Sequence, residues 1–286
     1  NVEQLLDIKV RARGISRRIH NFCSFPPIKL NFKKKAVTET VFEGQDKLKL
    51  VAYCKDFDIN EAYVLKEYLV YKLYNYLTPY SFKVRLAQIT YKDIQEKDKE
   101  VTRYGFLIED NDIMAKRNKG KISEVNMSHQ DRCERNTLDL FTIFQYMIGN
   151  TDWSISKQHN VKLIALENGT IIPVPYDFDY CGLVDAKYAV PSEELGLSDV
   201  RERLFRGYCR ISGTYEKKVE IFNAHKEEMY DEIYGLDLLE EKYKKNIIKY
   251  MDEFYKVIND PKLLERKIYD ACGLNHTHLH NAKKSK

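Results

Sequence analysis

Residues 149–179 read GNTDWSISKQHNVKLIALENGTIIPVPYDFD, and the order of apolar and oxygen-bearing residues in this stretch sets the expected architecture. Two apolar runs, 160–166 and 170–174, flank the turn Glu167-Asn168-Gly169, the pattern of a β-hairpin. A hairpin returns its end to its beginning, so Asn160 and Asp177 are expected to be neighbours, with Asp152 one loop away. Carboxylate and amide oxygens grouped in this way suit Mg2+ or Mn2+ together with nucleotide phosphates. Asp152, Asp177 and Asp179 also fit a simpler role as turn caps. Against that role stand Trp153, Ile171, Val174 and Phe178, which wall the stretch from water, where gathered carboxylates need a cation to offset repulsion and desolvation.

Outward from this stretch, 138–148 carries Leu138, Phe141, Phe144 and Met147 at helical spacing and predicts a buried helix, preceded by a polar stretch at 115–134. Toward the N-terminus, Ile8, Val10 and Ala12 alternate with polar residues, Arg13-Gly14-Ile15-Ser16 reads as a turn, and Ile28-Lys29-Leu30-Asn31-Phe32 alternates again; together they predict a strand pair. Residues 47–53 predict a further strand with Lys47 and Lys49 on one face. Asn60 is the expected cap of a helix over 61–77, its stripe formed by Leu65, Tyr68, Leu69, Leu73 and Tyr76, and Pro79 ends it. Strands follow at 83–91 and 103–108, joined by the charged turn 92–100. Helical patterns cover 215–234 and 238–258, and Pro261 opens a last helix toward Cys272. Strands and one helix come first, then mostly helices: an α+β protein.

The chain has 286 residues, 43% of them hydrophobic, which supports an ordered core and one or two units. No apolar run is long enough to span a bilayer. The net charge is +4, but residues 1–35 carry +7 and the remainder −3, so the basic excess is local and suits phosphate groups or a solvated rim. Six cysteines without a CxxC pair argue against a zinc ribbon or redox dithiol and are expected to be buried thiols for the most part. His276, His278 and His280 form an alternating tail, read as solvated. The chain opens at Asn1 without a methionine; removal of a signal peptide, with an extracytoplasmic location, and simple truncation both account for that.

Six segments, taken in order, resemble one family: Arg13-Gly14-Ile15-Ser16; Pro27-Ile28-Lys29-Leu30-Asn31-Phe32; Val64-Leu65-Lys66-Glu67-Tyr68-Leu69; Tyr104-Gly105-Phe106-Leu107-Ile108-Glu109; Gly149-Asn150-Thr151-Asp152 with His159-Asn160; and Pro175-Tyr176-Asp177-Phe178-Asp179. The likeness is to the CotH family of atypical, spore-coat-type protein kinases, and it spans roughly residues 10–185. It implies a two-lobed protein-kinase-like fold, with a small antiparallel-sheet lobe over 1–109 and a larger helical lobe over 110–286. It further implies Asp152 as the catalytic-loop aspartate, Asn160 and Asp177 as metal ligands, and Asp179 as a further metal or supporting ligand. The implied nucleotide contacts are Lys29 or Lys49 on the phosphates, Arg13 in the loop over them, and the segment ending at Glu109 as a hinge that pairs with adenine. Glu67 resembles the helix glutamate that braces the lysine, although its position off the Leu65/Leu69 stripe places it toward the surface. Two departures stand out: Asp152 and Asn160 are eight positions apart where the family has about five, and there is no glycine-rich loop.

The activity implied is transfer of the ATP γ-phosphoryl group to a hydroxyl of an acceptor protein, with Mg2+ or Mn2+. Two other classes fit the same residues. One is a catalytically inactive kinase-like module for binding or assembly. The other, drawn from the basic 11–35 segment and the clustered acids, is a nucleic-acid binder or metal-dependent nuclease, whose affinity would fall steeply with salt; nucleic acid is the less favoured partner.

Overall fold

In the computed structural model the described residues are 3–14, 23, 25–55, 57–92, 100–125 and 129–272. They form an α+β protein with two antiparallel sheets and seven α-helices. The first sheet contains β1 (Ile8–Ala12), β2 (Ile28–Phe32), β3 (Lys47–Val51), β4 (Val84–Lys92) and β5 (Glu100–Ile108), in the order β1-β2-β3-β5-β4. Its register sets Arg11 opposite Lys29, Lys29 opposite Lys49, and Lys49 opposite Ile108. Because alternate residues share a face, Lys9, Arg11, Lys29, Lys47 and Lys49 all project from one side of the sheet. The other side carries Leu30, Phe32 and Leu48, which the segment between β2 and β3 covers with Val37 and Phe42. The turn residues Ile15 and Ser16 and the histidine tail lie outside the described residues.

Between β3 and β4 runs α1 (Asp58–Leu77), which starts earlier than the sequence predicts. Phe57 occupies the cap position and Asn60 lies inside the first turn, where Asp58 and Glu61 favour the positive end of the helix dipole. The helix stops at Thr78, next to Pro79. After β5 come α2 (Asn111–Arg117) and β6 (Gly120–Ile122), overlapping the polar stretch at 115–134, for which no element was expected; a helix of seven residues and a strand of three leave too little periodicity to register.

The buried helix is α3 (Arg135–Ile148), capped by Glu134 and closed by Gly149 in the left-handed region at φ 64°. The predicted hairpin follows as β7 (Val161–Leu166) and β8 (Ile171–Pro175), and β6 joins it as a third strand on β7. The segment expected as one helix at 215–234 breaks at His225 into α4 (Glu216–Ala224) and α5 (Lys226–Tyr234). His225 leaves the helical region there and its ring bonds Glu228 in the new helix. Then come α6 (Glu241–Asn259) and α7 (Pro261–Leu264), the latter running on into a π-turn at Glu265–Tyr269. α1 packs on β4 and β5 and also on α3 and α5, so one core continues from Phe106 and Ile108 through Phe144 and Phe178 to Met251. Among the described residues no helix is long and apolar enough to cross a membrane.

Tyr250 of α6 is wedged against two glycines. A Cβ at Gly149 would lie 2.0 Å from its hydroxyl and one at Gly182 would lie 2.4 Å from it. The hydroxyl donates to the Arg201 carbonyl at 3.0 Å, and the Arg203 guanidinium stacks on the ring at 3.5 Å. Gly182 and Leu183 bond back to Gly149 and Ile148, so this wedge fixes the chain just after Asp179 against the end of α3.

The cysteines depart from the expectation of mostly buried thiols. Cys23–Cys54 and Cys209–Cys272 are disulfides, and only Cys133 and Cys181 among the six are free and buried. The partners are 31 and 63 residues apart, distances over which the fold and not local spacing decides who meets. Replacing Cys23 and Cys54 together by serine is expected to lower unfolding stability by about 3–4 kcal/mol, the loop-closure cost of a cross-link of that span. Chemical denaturation under non-reducing conditions measures it.

Candidate active site

Two residues of α1, one helical turn apart, reach the exit of the hairpin. The backbone N–H of Asp177 donates to the Tyr71 hydroxyl at 2.9 Å, and that of Phe178 donates to Glu67 Oε1 at 3.3 Å. Asp177 sits at φ 63°, a left-handed conformation that aspartate tolerates better than most residues. The strand's end is thereby turned so that carboxylate oxygens of Glu67, Asp177 and Asp179 lie within 4.8 Å of one another. Glu67 is 3% exposed and belongs inside this group, not on the surface. The stripe reading misplaced it because it assumed a one-faced helix, whereas α1 is buried on nearly every side.

Cations face the carboxylates from the first sheet. Lys49 Nζ bonds Asn111 Oδ1 at 3.1 Å and lies 4.9 Å from the Tyr176 ring and 5.7 Å from the Phe82 ring. Burial, with Arg13, Lys162 and Lys29 nearby, pushes its ammonium down to about 8, while Asp177 acts in the opposite direction. Lys29 and Lys49 thus stand side by side in register on one face of the sheet. The Arg13 Nε is buried and among the described residues has no hydrogen-bond partner, although its backbone N–H is held by the Pro27 carbonyl at 2.8 Å. Lys162 on β7 adds a further positive charge near Lys49, 5.4 Å from the Tyr176 ring.

The loop after α3 supplies a second group. Asn160 Nδ2 donates to the Asp152 carbonyl at 2.8 Å and to Asp152 Oδ2 at 2.9 Å, and His159 Nε2 meets Oδ1 at 2.9 Å. With its nitrogen committed to Asp152, the Asn160 amide keeps its Oδ1 as the atom able to ligate. Between Asp152 and Asn160 the chain closes on itself: Ser154 and His159 exchange backbone hydrogen bonds and Gln158 turns back on Ile155, making a tight loop. The Asn160 carbonyl then accepts the Tyr176 N–H at 3.0 Å, which joins this group to the residue before Asp177. Arg206 braces the loop from the far side, bonding the carbonyls of Thr151 at 2.6 Å and Trp153 at 2.9 Å and lying over the Trp153 ring.

Glu109 is engaged elsewhere. Its carboxylate takes two bonds from Arg117, at 3.0 and 2.9 Å, and one from the Lys83 N–H, while its own N–H goes to the Lys83 carbonyl. These bonds fix the junction of β5 with α2. His159, Lys162, Arg206 and Glu67 as a ligand were not assigned from the sequence. His159 stands in the quoted His159-Asn160 pair, the one place where a signal for it was legible.

The donor set, three carboxylates with Asn160 joined by a backbone bond to the residue before Asp177, is the hard-oxygen chemistry of Mg2+ or Mn2+. The cation set opposite is that of a polyphosphate. Anion binding favours the charged ammonium, so affinity for inorganic tripolyphosphate should fall as pH rises through about 8, the point at which Lys49 deprotonates; Lys49→Met should flatten that profile in a calorimetric titration. Arg206→Ala should cost about 2–3 kcal/mol of stability through its lost carbonyl bonds, with a red shift of the single tryptophan's fluorescence reporting solvent at the Asp152 loop. In comparisons with known proteins, no family model, no curated protein and no solved structure matches the chain.

Proposed function

We propose that the protein is an ATP- and Mg2+- or Mn2+-dependent phosphotransferase of the CotH kind, moving the terminal phosphoryl group to a hydroxyl on an acceptor protein. In this reading residues 1–109 are the smaller lobe of a protein-kinase-like fold and 110–286 the larger. The observation that carries it is Lys49, with Arg13, Lys162 and Lys29 around it, standing near Asp177, whose carboxylate groups with those of Glu67 and Asp179. Phosphoryl transfer asks a protein mainly for positioning and charge neutralisation, and this arrangement supplies both.

The lysines and Arg13 hold the phosphate oxygens, and the unpartnered Arg13 Nε is the donor with most to gain from them. Asp177, Asp179, Glu67 and the Asn160 Oδ1 are the ligands for the metal, which neutralises charge on the phosphates when bound. Asp152, oriented by Asn160 and His159, accepts the proton of the acceptor hydroxyl as the oxygen–phosphorus bond forms and ADP departs. Glu109 contributes by fixing the segment that would border the base, with its side chain held by Arg117. The two disulfides favour an oxidising compartment for this activity.

The test is a thermal shift with ATP and Mg2+ paired with a transfer assay. The wild type should gain melting temperature with the pair, Asp177→Ala should lose the gain, and Asp152→Asn should keep it while transfer drops about 10²–10⁴-fold. Nucleotide binding without any turnover in the wild type would leave a binding module in place of an enzyme. An unaltered shift in Asp177→Ala would remove that residue from the site.

A further inference from the structure

The basic excess of residues 1–35 is only partly used by the site above. Lys9 and Arg11 belong to it, and they lie on β1, whose five residues are all exposed. β1 is the end of the sheet order, and among the described residues no strand pairs with its outer edge. Its two faces differ sharply. Lys9 and Arg11 project with Lys29, Lys47 and Lys49, while Ile8 and Val10, 38% and 56% exposed, project from the opposite side. The backbone direction is also fixed. Arg13 donates its N–H inward to Pro27, so at the strand's two-residue period Arg11 and Lys9 point their polar groups at β2. Val10 therefore presents its N–H and C=O outward, where an incoming strand would find them.

We infer that the β1 edge is a docking site for an extended segment of a partner protein in which acidic and apolar residues alternate. Added as a sixth strand, such a segment pairs its backbone with Val10, sets its acids beside Lys9 and Arg11, and covers Ile8 and Val10 with its apolar side chains. A second copy of this chain is the wrong occupant, because β1 against β1 places Lys and Arg opposite Lys and Arg. Edge lysines also serve simply to keep strands apart, and the experiment separates that role from docking.

The probe is a fluorescently labelled peptide of alternating Glu and Val, titrated into the full chain without nucleotide and read by anisotropy. This inference does not rest on phosphoryl transfer, so its outcome is independent of the ATP and Mg2+ assays. Binding should be at least about tenfold tighter than for a peptide of the same composition in blocks, and should weaken as salt rises. Lys9→Glu with Arg11→Glu should abolish it and admit a Lys/Val peptide instead. Val10→Pro, which removes an outward N–H and no ladder bond, should weaken it about tenfold with the melting temperature kept. Equal binding of the alternating and block peptides overturns the inference, as does unchanged binding by the charge-reversed variant. Displacement of the peptide by an oligonucleotide, with Val10→Pro binding like the wild type, also overturns it in favour of a general polyanion face.

Discussion

The site depends on a pair of hydrogen bonds from backbone to helix. Glu67 and Tyr71 stand four residues apart on α1 and therefore on one side of it, and they receive the N–H groups of Phe178 and Asp177. Without those acceptors the left-handed turn at Asp177 would have no partner for its donor, and the chain leaving β8 would be free to carry its carboxylates apart. The Phe178 ring, buried between Tyr71 at 4.7 Å and Phe144 at 6.0 Å, holds the same turn from the apolar side. The helix that follows the third strand thus positions acids contributed by a hairpin about a hundred residues later.

Three carboxylates so close together repel, and the surroundings show how the fold tolerates them. The opposing charges come from another sheet, in register across β2 and β3, with Arg13 and Lys162 on either side. Neither half is comfortable alone. Lys49 is depressed by burial and by its basic neighbours, and the acids crowd one another. A ligand that carries both negative oxygens and a cation would relieve both strains at once.

Much of this was legible in the residues. Alternation gave the strands of the first sheet, the Glu167-Asn168-Gly169 turn gave the hairpin of the second though not its third strand β6, and the hairpin brought Asn160 within one backbone bond of the residue preceding Asp177. What escaped has physical reasons. Glu67 was assigned by a stripe rule that fails for a helix packed on several sides. The cap at Asn60 was a plausible side chain in the wrong turn. The disulfides join residues that only the folded chain brings together. The bridge between Ser154 and His159 that closes the loop before Asn160 has no mark in the sequence, and Arg206 acts from a segment with no periodicity to mark it.

The Tyr250 wedge has a consequence for inheritance. At position 149 the obstacle to a side chain is the tyrosine's own oxygen, and the next atom stands at 3.3 Å. Phenylalanine at 250 would therefore remove the one contact under 3.0 Å that a Cβ at 149 meets, leaving the positive φ as the remaining constraint there. Position 182 gains nothing from the same exchange, because the Val200 carbonyl at 2.8 Å and Arg201 Cα at 2.9 Å still fill the space. Across descendants of this sequence, 149 should drift only in step with 250, while 182 stays glycine whatever α6 does.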